Sequence, residues 1–308
     1  MCLLIAMSGV VADAPLIVAA NRDELLDRPA VAMTVLRAEE PRILGGRDQV
    51  AGGTWLAVNE HGVVAGLTNQ PAVGGRDPSK RSRGELPLEF ARYRTAAEAV
   101  AEVCPRLEPA NYNPCWMLIG DRESLYFLSV EGNAKPEQLE PGLYVLENAP
   151  LRPRSAKAAF VTRLVNEALL VQSDAGSSAA RTVAALETVL GSHQPAILQE
   201  RTDSVGRVRP PELSAPCVHV EGYGTRSAMT VRVPVTGLPS VRVADGRPCE
   251  HQLRDASGLW SLGTRWSLEA LPFRRTLRLR KALRFRSTQR FRRTLRFRRT
   301  RWLGATGN

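Results

Sequence analysis

A cysteine at the second position is the residue with the most chemistry to offer in this chain of 308 residues. Its small side chain permits removal of Met1, which leaves Cys2 with a free α-amine beside its thiol. The unperturbed pKa values of about 7.7–8.0 for the amine and about 8.5 for the thiol are close enough for proton exchange. A neutral amine then takes the thiol proton, directly or through water, so that one residue supplies both nucleophile and base. The plainer alternative is that a cysteine in an apolar opening strand is a buried small hydrophobe. A second polar feature, Asn21-Arg22-Asp23-Glu24, ends the next apolar run. Alone it reads as a turn. If the two runs pair as a hairpin, the cluster folds back toward Cys2, where Arg22 holds a thiolate or an anionic substrate group and a carboxylate orients the amine.

Other motifs are weaker. Gly222-x-Gly224-x-x-Ser227 has part of a dinucleotide-loop spacing, but its last glycine is missing and a strand is expected after it. Neither a P-loop nor a G-x-S-x-G elbow occurs. Trp55, Trp116 and Tyr223 either line an apolar pocket or belong to the core. The five cysteines (Cys2, Cys104, Cys115, Cys217, Cys249) show no C-x-x-C spacing, which argues against a disulfide framework and a zinc ribbon. The histidines at 61, 193, 219 and 251 are dispersed along the chain. A reducing compartment, no cofactor and no structural metal is the economical expectation.

Positioning Cys2 falls to a strand-rich first half. Cys2–Ser8 and Leu16–Asn21 predict a hairpin. Thr54–Val58 and Val63–Thr68 flank a four-residue connection ending in Gly62, and Cys115–Ile119 and Leu125–Val130 flank the five residues Gly120–Ser124. Leu143–Leu146 is a further strand. Helices are expected over Glu85–Tyr93, where Ser82-x-x-Glu85 has capping-box spacing, and over Thr95–Val103, Ser155–Leu170 and Ala179–Leu190. Val218–Val220, Met229–Val235 and Val241–Ala244 return to strands. Strands that open and close the chain around central helices suggest packed sheets with helices outside.

With these elements placed, the sequence resembles the NRDE family, also called transport-and-Golgi-organisation protein 2-like proteins. The resemblance rests on Met1-Cys2 and Ala19-Ala20-Asn21-Arg22-Asp23-Glu24, then Gly52-Gly53-Thr54-Trp55-Leu56, Ala65-Gly66-Leu67-Thr68-Asn69, Ser82-Arg83-Gly84-Glu85-Leu86 and Gly222-Tyr223-Gly224-Thr225-Arg226-Ser227. It spans residues 1 to about 260 and implies an α+β fold, a four-layer αββα sandwich of the N-terminal nucleophile hydrolase type, close to choloylglycine hydrolases and penicillin V acylases. The same resemblance implies Cys2 as nucleophile and Arg22 with Asp23 or Glu24 beside it. It further implies Asn69 as an oxyanion donor, Asn148 as a second active-site asparagine and Arg226 as a late arginine. The acidic residue lies immediately beside Arg22, unlike the acylases' spacing. The implied activity is hydrolysis of an amide or related acyl bond in a small-molecule substrate. Eukaryotic members of the family are connected with Golgi organisation, lipid metabolism and haem handling, which makes non-catalytic binding of haem or an acyl lipid the alternative.

The net charge of +11 is concentrated at one end. Phe273–Trp302 holds 14 Lys and Arg without an acidic residue, leaving 28 of the 42 basic residues against 31 acidic ones elsewhere. Residues 261–308 therefore form a low-complexity, Arg-rich tail, disordered or helical, with an 18-residue repeat from Phe273 to Phe291. Clustered Arg with interleaved Phe suits phosphate contact. Self-repulsion and little apolar area instead favour a solvated extension, so no specific nucleic-acid partner is expected. The apolar run after Cys2 has no basic residue before it and is interrupted by Asp13 and Pro15. A cytoplasmic location without a transmembrane segment is the resulting expectation; the oligomeric state is left open.

Overall fold

Neither face of the opening hairpin is polar: along Leu3–Met7 and Leu16–Ala20 every side chain is buried, the pattern of strands covered on both sides. The computed structural model describes residues 2–71, 75–171, 178–202 and 208–261. In chain order the first elements are β1 (Cys2–Ser8), β2 (Leu16–Leu25), β3 (Ala30–Arg37), β4 (Ile43–Asp48), β5 (Leu56–Asn59) and β6 (Val64–Asn69). There follow α1 (Glu85–Phe90), α2 (Ala96–Val103), β7 (Cys115–Gly120), β8 (Leu125–Val130), β9 (Pro136–Leu139), β10 (Gly142–Leu146), α3 (Ala156–Val171) and α4 (Ser178–Leu190). The closing strands are β11 (Arg201–Thr202), β12 (Val208–Arg209), β13 (His219–Val220), β14 (Tyr223–Val233), β15 (Ser240–Asp245) and β16 (Arg254–Asp255).

Two large antiparallel sheets result, with β11 and β12 forming a separate two-stranded one. One runs β10-β1-β2-β14-β15-β16, with β13 paired to β14; the other follows chain order from β3 to β9. Alternation along β1 and β2 divides their side chains between two cores. Leu4, Ala6, Val18 and Ala20 meet Leu44, Leu56, Val58, Trp116 and Leu118 of the facing sheet. Leu3, Ile5, Ile17 and Ala19 turn outward against Val161 and Val165 of α3 and Leu186 and Val189 of α4. The second sheet does the same on its far side, where Ala65, Met117 and Ile119 cover Leu86, Phe90 and Val100 of α1 and α2. The architecture is a four-layer αββα sandwich. Among the described residues no helix is long and apolar enough to cross a membrane.

The expected elements form, with instructive differences. Asn21–Glu24, legible in isolation as a turn, continues β2, because β1 and β14 flank it and take its backbone bonds. Strands β3, β4 and β9 were not expected from the sequence. The Ser82-x-x-Glu85 spacing does not make a capping box: Gly84 occupies the N-cap without a side-chain bond, and Glu85 pairs with Arg81 at 2.6 Å. Thr95 instead caps α2, accepting from the Glu98 amide. The described residues belong to one compact unit, Met1–Ser267; the expected basic tail lies outside the described residues from residue 262 onward.

Candidate active site

Even-numbered positions of β1 and β2 face the second sheet, and at the open end of this interlayer core the apolar residues give way to Cys2 and Arg22. The two are paired in register. Around them lies a cleft of about 320 Å³, lined among others by Cys2, Arg22, Asp23, Asp48, Trp55, Asn69 and Arg83. A larger surface cleft of about 620 Å³ lies over α1, between Leu36, Leu88 and Arg106, and is lined by no cysteine, serine or threonine among the described residues.

The Cys2 backbone nitrogen, which is the α-amine once Met1 is removed, donates to Asn148 Oδ1 at 3.2 Å. Asn148 is itself anchored by a bond from its Nδ2 to the Asn69 carbonyl and by its own amide donating to Glu147 at 2.7 Å. Asn148 is thus held against the Cys2 nitrogen, and Asn69 lines the cleft. In the chain that carries Met1, burial pushes the Cys2 thiol above its ordinary value and the Asp23 charge adds to this; the positive N-terminus, then Arg22 and a bond from the Asp23 backbone N–H pull the other way. A thiol so raised needs a base within reach before it can act as a nucleophile.

Arg22 is only 4% exposed. Its Nη2 lies 3.1 Å from Asp48 and 3.8 Å from Glu24, and its guanidinium carbon sits 4.7 Å from the centre of the Trp55 ring. Asp48 also receives Arg28 through two bonds of 2.7 and 3.0 Å and the amides of Val50 and Ala51. Burial raises the Asp48 carboxyl, but the bonds from Arg28 and the two amides outweigh it and hold the group below its usual range. Arg22 Nη1, by contrast, is buried without a hydrogen-bond partner among the described residues. Arg83 reaches the same cleft, held by a bond of 3.1 Å to the Pro114 carbonyl, and burial lowers its pKa from the ordinary arginine value.

Two close backbone approaches shape this wall. A Cβ on Gly53 would lie 2.5 Å from the Gly84 carbonyl carbon, and one on Gly46 would lie 2.0 Å from the Trp55 ring. The Thr54 amide bonds the Gly84 carbonyl at 2.9 Å. The separate segments Gly52–Leu56 and Ser82–Leu86 are therefore two sides of one wall, and Gly46 is the floor on which the Trp55 ring lies.

Asp23 accepts from Thr225 Oγ1 at 2.6 Å. Burial raises its carboxyl, opposed first by the Lys157 charge, then by the positive N-terminus, the Thr225 bond and Arg22. Lys157 itself is buried on α3 and bonds the Leu213 carbonyl at 3.4 Å. Asn21 points to the helical layer, donating to the Leu190 and Pro216 carbonyls at 2.9 Å each.

Cys2, Arg22, Asp23, Asn69 and Asn148 thus converge, whereas Arg226 does not. It stands at a bulge in the β2–β14 pairing, and its guanidinium bonds the Leu25 and Leu26 carbonyls. Trp55 belongs to the cleft and Trp116 to the core between the sheets. Tyr223 donates to the Asp23 carbonyl at 3.0 Å. Sequence reasoning gave no role to Asp48, Arg83, Lys157 or Thr225. The only signal for Arg83 was its place in the Ser82–Leu86 segment, and Thr225 likewise lay inside the Gly222–Ser227 segment. The histidines and cysteines that look dispersed also gather: the ligand atoms of His193, Cys217, His219 and Cys249 lie within 4.8 Å of one another.

The family model described as Transport and Golgi organisation 2 matches residues 1–241. A Transport and Golgi organization protein 2 homolog of Bos taurus is 30% identical over 275 residues, covering 84% of this chain and 92% of that protein. The Homo sapiens homolog is 32% identical over 241 residues, covering 72% and 83%. Among solved structures, the chain is similar to penicillin V acylase from Agrobacterium tumefaciens, with a TM-score of 0.42, 12% identity, and coverage of 82% of this chain and 97% of that one. It is also similar to conjugated bile acid hydrolase from Clostridium perfringens, with a TM-score of 0.43, 11% identity, and coverage of 83% and 92%.

Proposed function

This chain belongs to the Transport and Golgi organisation 2 family, and from the site it carries we propose that it is a thiol hydrolase of an amide or related acyl bond, with Cys2 as its N-terminal nucleophile. The observation that carries this reading is the bond from the Cys2 nitrogen to Asn148 Oδ1, made where the thiol opens on a cleft walled by Arg22 and Arg83. In the mature form the Cys2 amine takes the thiol proton as sulfur attacks the substrate carbonyl. A carbon–sulfur bond forms, and the oxyanion is stabilised by the Asn69 amide, a type of contact worth roughly 3–4 kcal/mol. The carbon–nitrogen bond then breaks as the ammonium returns its proton to the leaving nitrogen. Water, deprotonated by the same amine, attacks the thioester; the carbon–sulfur bond breaks and the thiol regains its proton.

Arginine side chains set the substrate class. Arg28 is engaged with Asp48 and Arg81 with Glu85, while Arg22 keeps one buried nitrogen unbonded among the described residues. A carboxylate or phosphate on the acyl substrate would meet Arg83 at the cleft wall, beside the Arg22 guanidinium that Asp48 holds in place. Carriage of haem or an acyl lipid finds less support in so charged a lining. A panel of fluorogenic amides with anionic or neutral acyl groups tests the reading: turnover should favour the anionic members and vanish in Cys2→Ala. Equal turnover by Cys2→Ala would overturn the nucleophile, and a preference for neutral acyl groups would overturn the substrate class.

A further inference from the structure

Behind the active site, on the far side of β14 from Cys2, four side chains from three separate stretches of chain meet. His193 lies just beyond the end of α4, Cys217 and His219 flank Val218 at the start of β13, and Cys249 stands in the loop after β15. Cys217 Sγ lies 3.6 Å from Cys249 Sγ and 3.5 Å from His219 Nε2, and His219 Nε2 lies 3.2 Å from Cys249 Sγ. The His193 and His219 rings stand with centroids 4.4 Å apart.

These separations are those of ligands around one small ion. With zinc–sulfur bonds of about 2.3 Å and zinc–nitrogen bonds of about 2.0–2.1 Å, a tetrahedron sets its sulfurs about 3.7 Å apart and sulfur from nitrogen about 3.5 Å. The three measured distances fall within a few tenths of an ångström of these values, and His193 is near enough to close the fourth corner with a small ring movement. A disulfide accounts for the cluster less well. Its sulfurs would be bonded at about 2.05 Å, and it would give the two imidazoles nothing to do. We propose that His193, Cys217, His219 and Cys249 form a structural Cys2His2 site for a divalent zinc ion.

The donor set fits that ion. Two thiolates and two neutral imidazoles satisfy zinc completely and leave no open position, the pattern of a structural rather than a catalytic site. Binding exchanges two thiol protons for one dication, so the two protons leave to solvent and the site becomes electrically neutral. The surrounding backbone is set for it. The Cys217 amide bonds the Ser192 carbonyl at 2.9 Å, which brings the segment bearing His193 alongside. Val218, between the two ligands of β13, bonds Thr225 through both its amide and its carbonyl at 2.9 Å. The same Thr225 hydroxyl donates to Asp23. The ion would thereby clamp α4, β13 and the loop after β15 to the strand that supports the active site. The linear spacing hid this site because no two ligands other than Cys217 and His219 are near one another in sequence.

The test uses the full-length chain, purified without a histidine tag or chelator and supplied with zinc. Metal analysis should find one zinc per chain, and cobalt(II) in its place should give the intense visible absorption of a tetrahedral thiolate complex. His193 and Cys249 are exposed, so His193→Ala and Cys249→Ser are expected to fold; each should bind zinc at least about tenfold more weakly. Cys104→Ser, remote from the cluster, should leave the stoichiometry at one. A chelator should lower the Tm of the parent protein and leave that of Cys249→Ser unmoved. The proposal is overturned if the parent takes up no zinc, if Cys249→Ser retains it in full, or if the purified protein holds a Cys217–Cys249 disulfide in place of metal.

Discussion

Replacing Asp48 by Asn removes one charge, keeps the shape and probes the support beneath Arg22. Asp48 accepts three guanidinium bonds, two from Arg28 at 2.7 and 3.0 Å and one from Arg22 at 3.1 Å. A bond to a charged group contributes about 1.5–3 kcal/mol against about 0.5–1.5 kcal/mol for a neutral one, so three such exchanges suggest a loss of about 3 kcal/mol. Arg28 and Asp48 are partly exposed, and solvent screening brings the expected loss to about 2 kcal/mol. With an m-value of about 3 kcal/mol/M or more for a domain of this size, that is at most about 0.7 M in urea midpoint. The loss must also depend on pH. The folded Asp48 pKa lies below its ordinary value, so its contribution is complete above about pH 4 and disappears as pH falls through the lowered folded value. Urea titrations of parent and Asp48→Asn should therefore differ by about 2 kcal/mol at pH 7 and converge in acid. A difference that is below about 0.5 kcal/mol at pH 7, or that stays constant down to acid pH, would refute this account of the Arg22 support.

Three further outcomes follow from the same geometry. Gly53→Ala places a methyl 2.5 Å from the Gly84 backbone, which neither side can relieve by rotating a side chain. It should cost about 1–3 kcal/mol in denaturant unfolding, whereas Gly52→Ala, with open space around its Cβ but a positive φ of 75°, should disturb the site less. Thr225→Val removes a buried donor from Asp23 and should destabilise the fold by about 1–3 kcal/mol. Because that bond lowers the Asp23 pKa, the variant should also raise the Asp23 titration further, as carboxyl NMR would show. Finally, in a form that retains Met1 the Cys2 thiol is raised above its ordinary value, so its alkylation by iodoacetamide at pH 7 should be slower than that of free cysteine and should still be accelerating above pH 9. Rapid, pH-independent labelling would contradict this.

Much of the architecture was legible because each layer writes its own period into the sequence. The β1–β2 hairpin, the β5–β6 and β7–β8 pairs and the helices α2 to α4 all arise from local apolar patterns and turns. Strand β4 was not legible, since Gly45 and Gly46 interrupt its apolar pattern and only the fold shows that they admit the Leu56 carbonyl and the Trp55 ring. Asn21–Glu24 was ambiguous for a related reason: polar residues in a strand need partners, and theirs lie on β1 and β14. Of the residues selected for chemistry, Cys2, Arg22, Asp23 and Asn69 line one cleft, Asn148 bonds the Cys2 nitrogen, and Arg226 turns to the Leu25 and Leu26 carbonyls instead. Asp48 and Thr225 escaped notice because an isolated acid and an isolated hydroxyl carry no spacing signal; only the fold brings them to Arg22 and Asp23. The His–Cys cluster escaped for the same reason.

The central claim concerns Cys2, and its most direct test is intact and peptide mass spectrometry of the native protein after brief exposure to an activated ester of a dicarboxylic acid. The account predicts a mature chain that begins at Cys2, a single acyl group located on that residue, and no adduct in Cys2→Ala. A chain that retains Met1, or an adduct that persists undiminished in Cys2→Ala, would contradict it.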